Sequence, residues 1–261
     1  MTRSLDFLAF LGRALIACCR LLGDVAIFAA TGVGHLLRPP FQFRQFTRHF
    51  IEIAYFSLPV VALTALFTGM VLALQSFTGF SRFNAESAIA SVVVLSVTRE
   101  LGPVLAALMV AGRIGAAMAA EIGTMRVTDQ IDALTTLSTD PMKYLVAPRL
   151  LAATLAMPLL VIVADILGVL GGFLIGTVKL GFVAQTYLDN TFDVLEVMDV
   201  VSGLVKAAVF GFVIALMGSW CGYHSRGGAE GVGQATTRAV VASSILILAL
   251  DYVITEAFFS R

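Results

Sequence analysis

"LSVTRELGPVLAALMVAGRIG", residues 95–115, is apolar along most of its length yet carries Arg99 and Glu100 side by side. What surrounds this segment decides the fold, because adjacent charges are ordinary on a helix in water and costly on one in hydrocarbon. Composition answers first. Of the 261 residues, 59% are hydrophobic and only 13% charged, against about 25% charged in soluble domains. Mean hydropathy is +0.94. Residues 54–74, "AYFSLPVVALTALFTGMVLAL", contain no charge and match the roughly 20 residues a helix needs to cross a bilayer. Similar runs flank the Arg-Glu pair at 87–98 and 101–112, and recur at 150–176, 207–223 and 239–259. The pattern is that of an all-α polytopic membrane protein with five spans, near 52–77, 87–120, 147–177, 202–223 and 238–259.

The segment before the first span reads differently. Asp6, Arg13 and Arg20 recur every seven residues on one helical face, with Asp24 close to that stripe and Phe7, Leu11, Leu15, Leu22 and Phe28 over much of the rest. This predicts an amphipathic helix lying in the membrane interface over 3–37; a poor first span is the alternative. "RPPFQFR" at 38–44 should break it, since proline removes a donor and fixes φ. The division is therefore 1–44, an interfacial helix and hinge, and 45–261, a five-span domain. A cleavable signal peptide is not expected, because charges interrupt the apolar core it needs.

Lys and Arg in the short connections set the orientation. The N-terminal segment holds six arginines, 121–149 holds Arg126, Lys143 and Arg149, and 224–238 holds Arg226 and Arg238. The opposite side has Arg82, and Lys179 among Asp189, Asp193, Glu196 and Asp199. The N-terminus and the 121–149 segment are expected in the cytoplasm and the C-terminus outside. Two small-residue rows, Gly168/Gly172/Gly176 and Ala111/Gly115/Ala119, let helix backbones approach closely in lipid. They fit packing within one bundle or a seam between two copies.

Five ionisable residues are read as lying well inside the spans: Arg99, Glu100, Asp165, Lys206 and Asp251. A central charge costs about 2.5–3.5 kcal/mol even on a lenient insertion scale, so each needs a polar partner. Consecutive helical residues point apart, so Arg99 and Glu100 should pair elsewhere, with Lys206 and Asp251 supplying the opposite signs. The expected product is a cluster of Arg99, Glu100, Lys206 and Asp251 joining three spans. Such a cluster either fixes helix packing or lines a cavity for a charged head group. The segment 121–149 contains "VTDQIDAL", a short helix with Thr128 as N-cap, Asp129 in its first turn, and Ile131 and Leu134 on one face. It serves equally as a connector or as a docking knob.

Several chemistries are absent. There is no GxxxxGK[ST] phosphate loop, GxSxG, HExxH or CxxC, and His35, His49 and His224 are dispersed. The glycine-rich "GAEGVGQATT" at 228–237 follows an apolar helix rather than a strand, which argues against dinucleotide binding. Zero net charge argues against nucleic acid, and three cysteines make no disulfide framework. These residues give an enzyme little support, and no metal or cofactor is expected.

"RELGPVLAALMVAGRIGAAMAAEIGTMRVTDQIDAL" (99–134), "GMVLALQ" (69–75), "DPMKYLVAPR" (140–149), "GVGQATTRAVVASS" (231–244) and "LDYV" (250–253) closely resemble the motifs of MlaE-type permeases. These are membrane subunits of ABC transporters that work with MCE-domain lipid-binding proteins. The resemblance covers the chain from about residue 45 onward; family members commonly carry Glu where Asp129 stands. It implies an ATP-driven phospholipid transporter of the bacterial inner membrane, serving outer-membrane lipid asymmetry. The permease would be a homodimer of five-span subunits. Arg126, Thr128, Asp129, Gln130, Asp132 and Leu134 would form the coupling helix on a cytoplasmic ATPase subunit. A periplasmic MCE-domain ring and a small STAS-like cytoplasmic accessory subunit would complete the assembly. Phospholipid would occupy a cavity walled by Leu72, Leu74, Gln75 and Phe77, with Arg99, Glu100, Lys206 and Asp251 at its head group. From the residues alone, an ion-coupled secondary transporter or channel using the embedded charges is the rival reading.

Overall fold

The computed structural model describes residues 2–36, 39, 42–83 and 86–260, and these are helical with no strand. α1 is Thr2–Leu36 and α2 is Phe43–Phe80. A continuous rod follows from Ile89 to Val127, built of α3 (Ile89–Ser96), α4 (Gly102–Val110) and α5 (Ala116–Val127). Wider π-turns at Val97–Leu101 and Ala111–Gly115 join its three parts. Beyond the short α6 (Gln130–Thr136), a π-turn at Met142–Val146 leads into α7 (Ala147–Leu174). Then come α8 (Ala184–Val194), α9 (Val197–Tyr223) and α10 (Gly228–Phe259).

Five of these units occupy the five expected spans but overrun them. The ends are set by capping rather than hydropathy: Glu196 and Asp199 form a reciprocal capping box at the start of α9. Before α10, Gly227 takes a left-handed φ of 91° that a side chain would resist.

Among the described residues six helices are long and apolar enough to cross a membrane, the sixth being Leu15–Leu36 in α1. Length and composition alone thus admit α1 as a span; its packing distinguishes it from the others. Leu15, Ile16, Leu21, Leu22 and Ile27 are exposed alongside Arg13, Arg20 and Asp24, so over this stretch no single face is buried. Among the described residues, docking is seen in the last third. Phe28 meets Tyr223 edge-on at 5.7 Å, and Gly32 sits beneath Leu150 and Val146. The side chains of Asp6, Phe7 and Leu11, and residues 38, 40 and 41 of the expected hinge, lie outside what is described.

Glycine brings the central helices together. A Cβ on Gly69 would strike the Gly168 carbonyl of α7, and one on Gly211 would strike Ala153. The row Gly168/Gly172/Gly176 faces Val97, Val93 and Tyr187, while Gly115 and Ala119 face α9. Both small-residue rows are therefore used inside one chain. Burial pushes the Tyr187 phenol up to about 12, so it packs as a neutral group against Phe173 and Gly172.

Candidate functional site

At the end of the bundle where α9 begins and α10 finishes, the embedded charges meet. Lys206 on α9 is wholly buried, and its Nζ donates to Glu100 Oε2 and to the Arg99 carbonyl, both at 2.8 Å. Asp251 Oδ1 on α10 lies 2.9 Å from the same nitrogen, off the hydrogen-bond direction, so it contributes charge more than a directed bond. Thr255 Oγ1 donates to the other Glu100 oxygen at 3.1 Å. Three of the four expected members thus join three helices around one ammonium group.

Arg99 departs from the expectation. Its partner is Asp199, whose Oδ1 accepts from both Nε and Nη2 at 2.7 Å. Asp199 is fully buried, and its Oδ2 accepts from the Glu196 amide as part of the α9 cap. Adjacent helical residues point apart, and the buried Asp199 stands nearer the direction that Arg99 takes. Glu100 reaches the middle of α9 and Arg99 its first turn. The Phe259 ring covers one face of the guanidinium at 4.4 Å, a cation–π contact. The fork that could have gripped a phosphate is therefore half used, and a third of the side chain stays exposed. Asp199 was counted only as a loop charge in the sequence; the Glu196-Val-Met-Asp199 spacing was the available sign of its capping role.

Asp165 stays apart from this node. It is buried on α7 with Oδ1 unpartnered, against the backbone of Gly102. Leu72 and Phe77 also sit elsewhere, in an apolar group with Ala73, Ile89, Val93 and Val97, and Phe77 meets Phe182 at 6.1 Å. Leu74 is half-buried and Gln75 exposed. These four residues lie on the α2 side of the rod and the charges on its α9/α10 side. One chain does not bring the two groups into a single chamber.

Two further embedded cations escaped the sequence reading. Arg113, in the second π-turn, donates to Ser57 Oγ of α2 at 2.9 Å. Arg149, counted as a loop residue, is 1% exposed and pairs with Glu121 at 2.7 Å.

At the opposite end, α6 is held on the bundle by Ile131, which is 1% exposed, and by half-buried Leu134, as their spacing predicted. Thr128 is not its N-cap. Thr128 closes α5 by donating to the Thr124 carbonyl at 2.8 Å, and accepts from Gln130 Nε2 at 3.0 Å. Asp129 occupies the cap position at φ 58°, because the reversal between α5 and α6 needs a left-handed residue and Asp tolerates it better than most. Arg126 Nη1 reaches Asp132 at 2.7 Å, tying α6 back to α5. Asp129, Gln130, Asp132 and Leu137 face outward, Leu137 with 75% of its surface free.

The family model described as "Permease MlaE" matches residues 46–257. A "Probable ABC transporter permease protein" of Rickettsia bellii is 58% identical over 95% of this chain and 96% of its own. The "Intermembrane phospholipid transport system permease protein MlaE" of Haemophilus influenzae is 35% identical over 97% of this chain and 98% of its own. "Protein TRIGALACTOSYLDIACYLGLYCEROL 1, chloroplastic" of Arabidopsis thaliana is 36% identical over 90% of this chain and 67% of its own.

Proposed function

The chain belongs to the MlaE permease family of ABC transporters, and from that premise we propose that it is the subunit through which ATP hydrolysis moves phospholipid. The observation that carries the reading furthest is the node around Lys206. Two carboxylates, from the rod and from α10, converge on the buried ammonium of α9 within apolar helices, an arrangement that hydrocarbon penalises and that marks a substrate path in transporters. Beside it, the free edge of Arg99 offers a charge-assisted donor to a phosphate, while Glu100 and Asp251 keep the surroundings from gripping an anion irreversibly. Apolar walls at Leu72, Leu74 and Phe77, with Gln75, stand across the rod from these charges. A chamber that uses both groups needs a second copy of the chain, which accords with a homodimer.

Nucleotide hydrolysis belongs to a separate ATPase subunit, docked on α6 through Asp129, Gln130, Asp132 and Leu137. Arg126, Thr128 and Leu134 hold that helix in place. The α6 end then faces the cytoplasm and the Lys206 end the periplasm, in the inner membrane of a bacterium with an outer membrane. An MCE-domain ring receives or delivers lipid on the periplasmic side, and a small STAS-like subunit accompanies the ATPase. α1 lies along the cytoplasmic interface, supported by the docking of its last third and the exposed apolar residues before it, and 45–261 forms the five-span domain. Family membership displaces the ion-coupled reading.

The test is reconstitution with the ATPase in vesicles and measurement of ATP-dependent phospholipid transfer to an MCE-domain acceptor. The wild-type complex is expected to transfer lipid, and an assembled Arg99→Ala complex to lose most of that activity. Full transfer by Arg99→Ala would remove Arg99 from the lipid path. Absence of transfer by wild type would remove the transport reading.

A further inference from the structure

The longest polar interruption between spans, 128–141, is rooted on two helices, α5 before it and α7 after it. Those roots are tied by an ion pair buried at its arginine end. Arg149 Nη2 lies 2.7 Å from Glu121 Oε2, with the two side chains 2% and 46% exposed. Arg149 Nη1 also donates to the Leu145 carbonyl at 2.7 Å, inside the π-turn that carries the chain into α7. Across a groove from Glu121 stand His49 and Glu52 of α2.

A buried pair of this kind is weak evidence for stability, since apolar residues of the same volume commonly do as well. What it does offer is stiffness in one coordinate. Because the arginine end is buried, α5 cannot swing without either moving α7 or leaving Arg149 without its carboxylate partner. α5 is continuous through the rod with the π-turn bearing Arg99 and Glu100. α7 packs along α2 more extensively than any other helix pair.

We propose that Glu121 and Arg149 form a positioning clamp that converts displacement of the α6 segment into concerted movement of α5 and α7. The clamp rests on the transporter reading above: α6 receives the push from the ATPase, and the pair makes both roots respond as one body. Without it, α6 tilts on α5 alone and hydrolysis proceeds without opening the lipid path. Neither residue touches lipid or nucleotide.

The experiment uses the assembled complex in vesicles and reads ATP hydrolysis and phospholipid transfer on the same preparation. Glu121→Gln is the first variant, because a half-exposed position tolerates neutralisation. Arg149→Met is the second, and the exchanged pair E121R/R149E the third. The clamp predicts near-wild-type hydrolysis in the single variants, with lipid moved per ATP lower by about 5- to 150-fold, the usual span of coupling between sites. It also predicts substantial recovery in the exchanged pair. Unchanged transfer per ATP in assembled Glu121→Gln overturns the clamp, as does a loss of hydrolysis and transfer in equal proportion. If Arg149→Met fails to assemble, Glu121→Gln and the exchanged pair decide the matter. Failure of the wild-type complex to move lipid strikes the transporter reading first, and is told apart by its appearance before any substitution.

Discussion

Replacing Lys206 by Met removes the ammonium while keeping an unbranched side chain up to its ε position, and the structure sets the size of the effect. Glu100 Oε2 and Asp251 Oδ1 lie 2.8 and 2.9 Å from the same nitrogen. They are therefore no more than roughly 6 Å from each other, and without the ammonium they repel by about 3 kcal/mol at an effective dielectric of about 20. Partial exposure of Glu100 screens some of this, while the Arg99 carbonyl loses its donor and adds to it. Lys206→Met should destabilise the chain by about 3–5 kcal/mol, the range for breaking a buried pair from one side. Adding Glu100→Gln and Asp251→Asn removes the stranded charges and should bring stability back to within about 1 kcal/mol of wild type. Equilibrium unfolding of the detergent-solubilised protein, followed by Trp220 fluorescence, measures all three states. The same variants separate packing from transport. If the node only packs helices, lipid transfer returns in the triple variant; if it lines the path, transfer stays lost in a protein as stable as the original. A Lys206→Met protein within about 0.5 kcal/mol of wild type would refute the reasoning, because no buried ammonium with three partners could then be present.

Gly69→Ala places a methyl against the Gly168 carbonyl and should cost about 1–3 kcal/mol or more by forcing α2 from α7. Gly112→Ala, with open space around the same methyl, should instead gain about 0.5–1 kcal/mol from helix propensity; thermal denaturation of the pair checks both signs. Asp129→Val puts a β-branched side chain at φ 58° and should cost about 1–2 kcal/mol locally, read as faster amide exchange across α6. Leu137→Asp, at a 75% exposed position, should leave folding within about 0.5 kcal/mol while weakening capture of the ATPase subunit in a pull-down.

The positions of the helices were legible because an apolar run near bilayer length has few other uses in a folded chain. α2 and α7 announce themselves in this way. Pairing among the charges was legible only in part. That Glu100, Lys206 and Asp251 must find one another followed from cost alone, since hydrocarbon leaves them no other partner. That Arg99 chooses Asp199 did not follow, because Asp199 read as one of several loop acids and only its place in the cap of α9 buries it beside Arg99. Arg113 was missed although the expected span 87–120 contains it, because the apolar run there ends at residue 112 and an arginine just past a run looks terminal. Arg149 was missed for another reason. Its run begins just after a basic loop, and a residue at the foot of a span looks like a loop residue until its burial is seen. The cap of α6 went wrong by one position because sequence favours Thr at an N-cap, whereas the tight reversal there demands a left-handed residue, and Asp129 meets that demand.

The rod from Ile89 to Val127 joins these observations into one mechanical statement. It carries Glu100 near one end and Glu121 near the other, 21 residues apart in the sequence, which at about 1.5 Å per residue is roughly 30 Å, close to the thickness of the hydrocarbon core. Each glutamate meets a buried cation on a neighbouring helix, Lys206 of α9 above and Arg149 of α7 below. A rod pinned by ion pairs at two separate points along its length transmits a push only if it does not buckle between them. The second π-turn lies between the pins, and there Arg113 bonds to Ser57 of α2, bracing the rod where its hydrogen-bond ladder is most irregular. Removing that brace by Arg113→Met should leave both end nodes intact yet lower lipid moved per ATP, with hydrolysis preserved. A transfer ratio unchanged in an assembled Arg113→Met complex would mean that the rod is stiff enough without the brace, and that force reaches the Lys206 node along α7 instead.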